Sequence, residues 1–297
     1  MISDNTFSKE WVECLFCKGR DFKQLYPSLP GVVKCQCGLV YTNPRLKRET
    51  LKSFYSKSYF ESHSSEVMGY DNYVLDKTLV EKTFRRRLSE LEKKWLKKKG
   101  KVLDVGCATG FFLSIAREMG WAVSGVEISG YCCEYALRES GLKLHQDFFK
   151  DATDLGDHYD LVTMWDYLEH SFNPDLDIDR AREILAPAGF LAIATPDLGS
   201  LPAKIFKHRW IGFKEHEHLY YFTRKNLTEL LEKKGFRILS ASYAGKYISP
   251  KFFSKRLSDY SRFLGAVSEG FSRLVLLDKA SFYCNPCDII YLIAQKI

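Results

Sequence analysis

The stretch KVLDVGCATGFF, residues 101–112, decides the fold. Strand-type residues lead into a turn bounded by Gly106 and Gly110, and an apolar helix start, Phe111-Phe112, follows. A dinucleotide fingerprint would read GxGxxG, the second glycine admitting the pyrophosphate and the third letting helix pack on strand. Counted from Gly106, Ala108 holds the second position and Phe111 the third. An NAD-dependent oxidoreductase is therefore disfavoured. What remains is D-x-G-x-A-x-G, an acid (Asp104) before a turn framed by Gly106 and Gly110.

Outward from this turn the chain alternates. KVLDVG, AVSGVEI, YDLVTMW and FLAIATP read as strands. FFLSIAREMG, SGYCCEYALRESG and LDIDRAREILAPAG read as the helices between them, each closed by a glycine. Such alternation implies a mostly parallel sheet covered on both faces, a doubly wound α/β domain over 100–297. Residues 224–242 add a helix, a glycine stop and a strand, and DIIYLIAQ is the last strand. Before it lies a helical insertion, about 246–283, with Phe253, Leu257, Tyr260, Leu264, Val267, Phe271 and Leu274 at alternating spacings of four and three. The first reading is a lid or cap on its own domain. A homodimer contact comes second and a membrane-surface helix third. Upstream of the turn, Phe84, Leu88, Leu91 and Trp95 form one apolar stripe in a helical cap over 46–99.

With 45% hydrophobic and 27% charged residues among 297, the chain has the profile of a soluble globular protein. No apolar run of about 18 residues is present, so no membrane span is expected. The N-terminus, MISDNTFSKEWVEC, is acidic and lacks the apolar core of a secretory signal. With nine cysteines, an odd number, a reducing cytoplasm is expected, where paired cysteines more often hold metal. The net charge is +7, concentrated in runs such as Arg85-Arg86-Arg87 and Lys97-Lys98-Lys99. These read as solvated helix faces in preference to a nucleic-acid surface. Cys14-x-x-Cys17 and Cys35-x-Cys37, seventeen residues apart, form a set of four thiolates that can close a structural zinc site in a leader, 1–45, too small for a core of its own.

The turn resembles the first motif of class I S-adenosylmethionine-dependent methyltransferases, E/D-x-G-x-G-x-G, with Ala108 for the middle glycine. The resemblance implies a Rossmann-like sheet of seven strands and S-adenosylmethionine as cofactor. The turn would meet the methionine portion, and Asp104 would attract its ammonium group. Glu127, ending the second strand ahead of Ile128, would accept both ribose hydroxyls. Asp147 and Phe148 would border the adenine, and Trp165 would close the fourth strand against the cofactor. Tyr73 falls where family members cover the bound cofactor. More narrowly, residues 11–45 and 196–236 are similar to a subgroup with a zinc-ribbon leader found among sugar and polysaccharide-modifying enzymes.

A methyl donor that already carries a good leaving group leaves alignment and proton removal to the enzyme. Histidine is the natural base near neutral pH, and His170 and His218 are the candidates. Glu217-His218 resembles the Glu-His pair of deoxysugar C-methyltransferases, although Glu215 stands where their tyrosine would be. Loop histidines also serve simply to pin loops by hydrogen bonds. Asp166, Glu169 and His170 resemble the E-x-x-E-H metal site of ubiquinone-pathway O-methyltransferases, with aspartate first. The expected acceptor is a sugar, nucleotide-sugar or related small hydroxylated metabolite. An RNA methyltransferase and a non-catalytic adenosyl-binding scaffold are the alternatives, and the absence of an aromatic-basic stacking platform argues against RNA.

Overall fold

A computed structural model describes residues 8–50, 76–215, 217–260 and 281–297. Tyr73, most of the predicted insertion and residues 51–75 of the predicted cap lie outside the described residues. The leader contributes five short strands: β1 (Lys9–Glu10), β2 (Phe22–Tyr26), β3 (Leu29–Cys35), β4 (Val40–Thr42) and β5 (Arg45–Leu46). Then follow α1 (Lys77–Lys94), β6 (Lys101–Val105), α2 (Phe111–Glu118), β7 (Ala122–Val126), α3 (Gly130–Ser140) and β8 (Tyr159–Trp165). The chain continues through α4 (Pro174–Ile184), β9 (Leu185–Pro196), α5 (Leu201–Phe206), β10 (Tyr220–Tyr221) and α6 (Arg224–Lys233). The last elements are β11 (Phe236–Tyr243), β12 (Lys246–Ile248), α7 (Pro250–Tyr260), β13 (Phe282–Cys284) and β14 (Ile289–Lys296).

The central sheet runs β11-β14-β9-β8-β6-β7. Strands β7, β6, β8 and β9 are parallel, and β14 lies antiparallel between β9 and β11. This is the doubly wound α/β fold read from the alternation, with six strands where seven were expected. Beside β7 the third strand shrinks to one parallel bridge, Val126 to His145. The chain turns away at once, because the Asp147 N–H bonds back to the His145 carbonyl at 3.2 Å.

Residues that neighbour each other on a strand serve opposite layers, as period-two geometry requires. Leu103 joins one core with Ile178 and Ala181 of α4 and Leu227 and Leu231 of α6. Val102 joins the other with Leu88 and Leu91 of α1 and Phe112 and Ala116 of α2. The predicted stripe of α1 is present, with Leu88 and Leu91 fully buried and Phe84 and Trp95 packed against them. The charge run is not uniformly solvated, however. Arg85 and Arg86 are exposed, whereas Arg87 is buried. Thr83, Arg87 and Leu91 follow one another at i, i+4, i+8, and all three are buried, so the third arginine falls on the inner face.

The glycine stops hold for α2 and α3, where Gly120 and Gly141 take positive φ. They fail for α4, which ends at Ile184 and passes straight into β9. Ala188, at φ 58°, makes the local turn there instead.

Among the described residues the leader has no separate core. Strands β2, β3 and β4 form a four-stranded sheet whose edge strand is β10 from the far end of the chain, with Tyr220 opposite Tyr41 and Tyr221 opposite Val40. Cys14, Val33, Leu39 and Tyr41 pack into the α4/α6 core. The insertion is closed at its base by a ribbon in which β12 pairs antiparallel with β13.

Candidate active site

The carboxyl ends of β6, β7 and β8 open into one cavity of about 450 Å³. Its floor is the turn after β6. Gly106 and Gly110 take φ of 69° and 75°, and Ala108 sits in the same left-handed region at 46°. A Cβ on Gly106 would stand 2.6 Å from the Tyr167 ring, so two requirements meet there, the conformation and the space. Gly110 caps α2 and turns the chain into the helix.

Two carboxylates face this floor. Asp104, nearly fully buried, accepts the Thr163 hydroxyl at 2.6 Å. Burial raises its carboxyl to about 8, against the hydrogen bond from Thr163 and with help from the Glu127 charge. Glu127, also buried, accepts the Ala108 N–H at 2.9 Å through one oxygen and the Ser129 N–H at 2.9 Å through the other. Burial pushes its carboxyl up, and the backbone donors pull it back. Ile128, Asp147, Phe148 and Trp165 line the same cavity. Asp147 accepts the Phe148 N–H at 2.8 Å. The first residues after the leader reach this wall, for the Arg48 guanidinium lies 3.8 Å from the Phe148 ring centroid and pairs with Asp151. The cofactor-site residues read from the sequence are thus brought together, apart from Tyr73 outside the described residues.

Beyond β8 the chain makes a turn of 3-10 helix, Leu168–His170, which brings His170 against His218. The rings meet edge-on, with centroids 4.7 Å apart and planes at 87°. His170 Nδ1 lies 2.9 Å from the Glu217 carbonyl, and His218 Nδ1 lies 2.9 Å from the Gly212 carbonyl. A carbonyl can only accept, so in each neutral ring Nδ1 carries the hydrogen and Nε2 keeps its lone pair. Burial, then the Lys214 charge, lowers His170 to about 3. Burial drives His218 well below the ordinary histidine range, and His170 and Lys214 add to the effect. Both rings are therefore neutral.

Of the Glu217-His218 pair only the histidine lines the cavity. The Glu217 carboxylate lies 3.3 Å from the Lys214 ammonium, and its carbonyl is what orients His170. Glu169 is buried and accepts the Thr195 hydroxyl at 2.8 Å. Its carboxyl is raised to about 8 by burial and by the Asp166 charge. A Glu169 oxygen and one ring nitrogen from each of His170 and His218 come within 4.8 Å of one another, a set able to hold a divalent cation. Asp166, at φ 49°, lines the cavity but is not part of that set.

The histidine loop is held by the leader. The Leu219 N–H donates to the Glu169 carbonyl at 2.6 Å, and the Thr42 N–H donates to the Leu219 carbonyl at 2.9 Å. The Thr42 hydroxyl donates to the His218 carbonyl at 2.6 Å. In the leader itself Cys14 Sγ lies 3.4 Å from Cys37 Sγ, and Cys17 Sγ lies 3.4 Å from Cys35 Sγ, with all four within 4.8 Å. These distances exceed the roughly 2.05 Å of a disulfide. They are a few tenths below the roughly 3.8 Å between thiolates on a tetrahedral zinc with bonds of about 2.3 Å. The short Cys35-x-Cys37 knuckle still closes, helped by Gly38 at φ 95°.

Sequence reading missed Arg87, Lys214 and Lys246, which also line the cavity. For Arg87 the signal was available, since it stands three residues after Phe84 and four before Leu91 on the predicted stripe.

A family model described as a methyltransferase domain matches residues 77–241, more than half of the chain. The chain belongs to this family and has the class I S-adenosylmethionine-dependent methyltransferase fold. Over 100 residues it is 28% identical to the ubiquinone biosynthesis O-methyltransferase of Chelativorans sp. (strain BNC1), covering 32% of this chain and 40% of that protein. Over 101 residues it is 31% identical to the enzyme of the same name from Azoarcus sp. (strain BH72), covering 32% and 43%. The chain thus spans less than half the length of these relatives. Among solved structures, the magnesium protoporphyrin IX methyltransferase of Synechocystis PCC 6803, with bound S-adenosylhomocysteine, aligns with a TM-score of 0.55 at 15% identity, over 84% of this chain and all of that one. A possible histamine N-methyltransferase from Thermotoga maritima aligns at 0.51 with 15% identity, over 76% of this chain and 93% of that one.

No helix among the described residues is long and apolar enough to cross a membrane.

Proposed function

We propose that the protein transfers the methyl group of S-adenosylmethionine to a hydroxyl of a small hydroxylated metabolite, of which a sugar or nucleotide-sugar is the first class to examine. The observation that carries this reading is the His170–His218 pair on the wall of the cavity that also holds the Gly106–Gly110 turn and Glu127. When bound, the cofactor would supply an electrophilic methyl group, with its own sulfur as the leaving group for attack by the acceptor oxygen. Glu127 binds the ribose hydroxyls, Asp104 meets the ammonium group, and Asp147 and Phe148 border the base. His170 or His218 takes the acceptor proton on Nε2, its Nδ1–H being committed to a backbone carbonyl.

The low histidine affinity for protons favours this job only while the acceptor anion forms together with the new bond. That limit gives weight to a second reading. Glu169, His170 and His218 could hold a divalent cation, which would lower the pKa of the acceptor hydroxyl. The ubiquinone-biosynthesis relatives support methylation at oxygen. In the leader, Cys14, Cys17, Cys35 and Cys37 would hold zinc as a structural ion.

The test is transfer of label from methyl-labelled S-adenosylmethionine to panels of sugars, nucleotide-sugars and phenols. Labelled product from wild type, with at least a hundred-fold loss in His170→Ala or His218→Ala, supports the reading. Turnover on a panel member that neither substitution changes would remove the histidines from it.

A further inference from the structure

The 3-10 turn that presents Glu169 and His170 is gripped at both ends by one side chain. Tyr167 precedes the turn and Ser171 follows it. The Tyr167 hydroxyl donates to Asp177 Oδ2 at 2.8 Å, and the Ser171 hydroxyl donates to the same oxygen. Ser171 Oγ in turn accepts the Asn173 N–H at 3.1 Å. Asp177 stands in the first turn of α4, where the positive end of a helix favours a carboxylate. Both Asp177 and Ser171 are buried.

Helix formation alone does not call for this acid. Among the described residues the carboxylate accepts no backbone N–H and forms no ion pair, so it neither caps α4 nor neutralises a cation. Burial raises its carboxyl to about 6 while the two hydroxyls pull it back, so at neutral pH it is ionised and accepts from both. A buried carboxylate held by hydroxyls costs more than apolar side chains of the same shape, and it tolerates few arrangements of its donors. That combination suits a device that fixes geometry.

What the ends of the turn touch gives the geometry its use. The Tyr167 ring lies over Gly106, where an added Cβ would come within 2.6 Å of it. Within the turn, the Glu169 carbonyl holds the Leu219 N–H beside His218, and His170 Nδ1 faces the Glu217 carbonyl. One carboxylate thus ties the histidine wall to the floor of the cofactor site, and Tyr167, Ser171 and Asp177 all line the cavity.

We propose that Asp177 is a positioning residue for methyl transfer: by holding Tyr167 and Ser171 it fixes His170, and through the Glu169–Leu219 link His218, relative to the Gly106 turn. The inference rests on the methyltransferase reading of the cavity. A misplacement of about 1 Å between reacting groups costs about a hundred-fold in rate, so a lock of this kind bears directly on turnover.

The test is imidazole nitrogen NMR on the full chain saturated with S-adenosylhomocysteine, the His170 signals being assigned by their loss in His170→Gln. In wild type the His170 Nδ1–H, held by the Glu217 carbonyl, should exchange slowly with water. Tyr167→Phe, which keeps the ring on Gly106, and Ser171→Ala should each speed this exchange about ten-fold, and Asp177→Leu about a hundred-fold. Asp177→Asn still offers the hydroxyls an acceptor oxygen and should hold the exchange within about three-fold of wild type. The two hydroxyl variants should keep S-adenosylhomocysteine affinity within about two-fold, and they decide the matter should Asp177→Leu fail to fold. His170 exchange unchanged in both would overturn the proposal. So would equal acceleration at the Leu103 and Val162 amides of the central sheet, because Asp177 would then serve global stability alone. Wild-type failure to bind S-adenosylhomocysteine would instead overturn the underlying methyltransferase reading, and the His170 comparison would still be made on the ligand-free protein.

Discussion

The Glu127 carboxylate accepts the Ala108 N–H at 2.9 Å, so the end of β7 and the turn after β6 are one hydrogen-bonded unit. The residue expected to read the ribose also fixes the floor beneath the methionine portion. Glu127→Gln keeps the size but gives up one acceptor oxygen. S-adenosylhomocysteine affinity should fall about ten- to hundred-fold, with a loss of thermal stability as the Ala108 or Ser129 N–H goes unpaired. Affinity unchanged by this substitution would separate Glu127 from the ribose.

Ala108 occupies a left-handed conformation that disfavours a side chain, at φ 46°. Relief of that strain is worth about 1–2 kcal/mol, and the added backbone freedom of glycine when unfolded offsets about 0.5–1 kcal/mol. Ala108→Gly should therefore stabilise the fold slightly, by about 0.5–1 kcal/mol, seen as a small rise in Tm. A fall in Tm would show that the methyl group packs in a way that outweighs the strain.

Asp104 titrates near 8 in the ligand-free fold because it is buried. An unfolded aspartate releases its proton near about 4. Between those values the folded chain holds a proton that the unfolded chain has lost, so this group makes stability fall as pH rises through the interval. Asp104→Asn, which can still accept the Thr163 hydroxyl, should flatten that slope in melts taken from about pH 5 to 8. A cofactor ammonium beside Asp104 favours the ionised form. Binding of S-adenosylhomocysteine near neutral pH should then release a proton, measurable by calorimetry in buffers of different ionisation enthalpy, and the release should vanish in Asp104→Asn.

Thr42 reaches from the leader to the His218 carbonyl at 2.6 Å and is itself buried. Thr42→Val preserves the shape and orphans that carbonyl, at a cost of about 1–3 kcal/mol. Turnover should drop while S-adenosylhomocysteine affinity stays, because the histidine loop moves and the Gly106 turn does not. Chelation of a metal held by Cys14, Cys17, Cys35 and Cys37 should act in the same direction, read out by loss of β10–β4 amide protection. Equal loss of cofactor binding would point to global unfolding instead.

What the sequence made legible was local. The strand–turn–helix at Asp104–Phe112 and the stripe of Leu88 and Leu91 are patterns of period two and 3.6, and both survive in the fold. The four cysteines converge despite the shortened second knuckle. Long-range pairing was not legible. Nothing local in HLYYF tells that Tyr220 and Tyr221 complete the sheet of the leader, or that a Glu217 carbonyl rather than its carboxylate serves His170. Arg87 was misread because a run of arginines looks uniform in sequence, whereas a helix turns each member to a different face.

The most direct single measurement is calorimetric titration of the purified protein with S-adenosylhomocysteine, with NADH as the control ligand. Saturable binding of the first with silence from the second, lost in Glu127→Ala, is the expected result. Binding of NADH with none of S-adenosylhomocysteine would contradict the cofactor assignment and, with it, the roles given to His170 and His218.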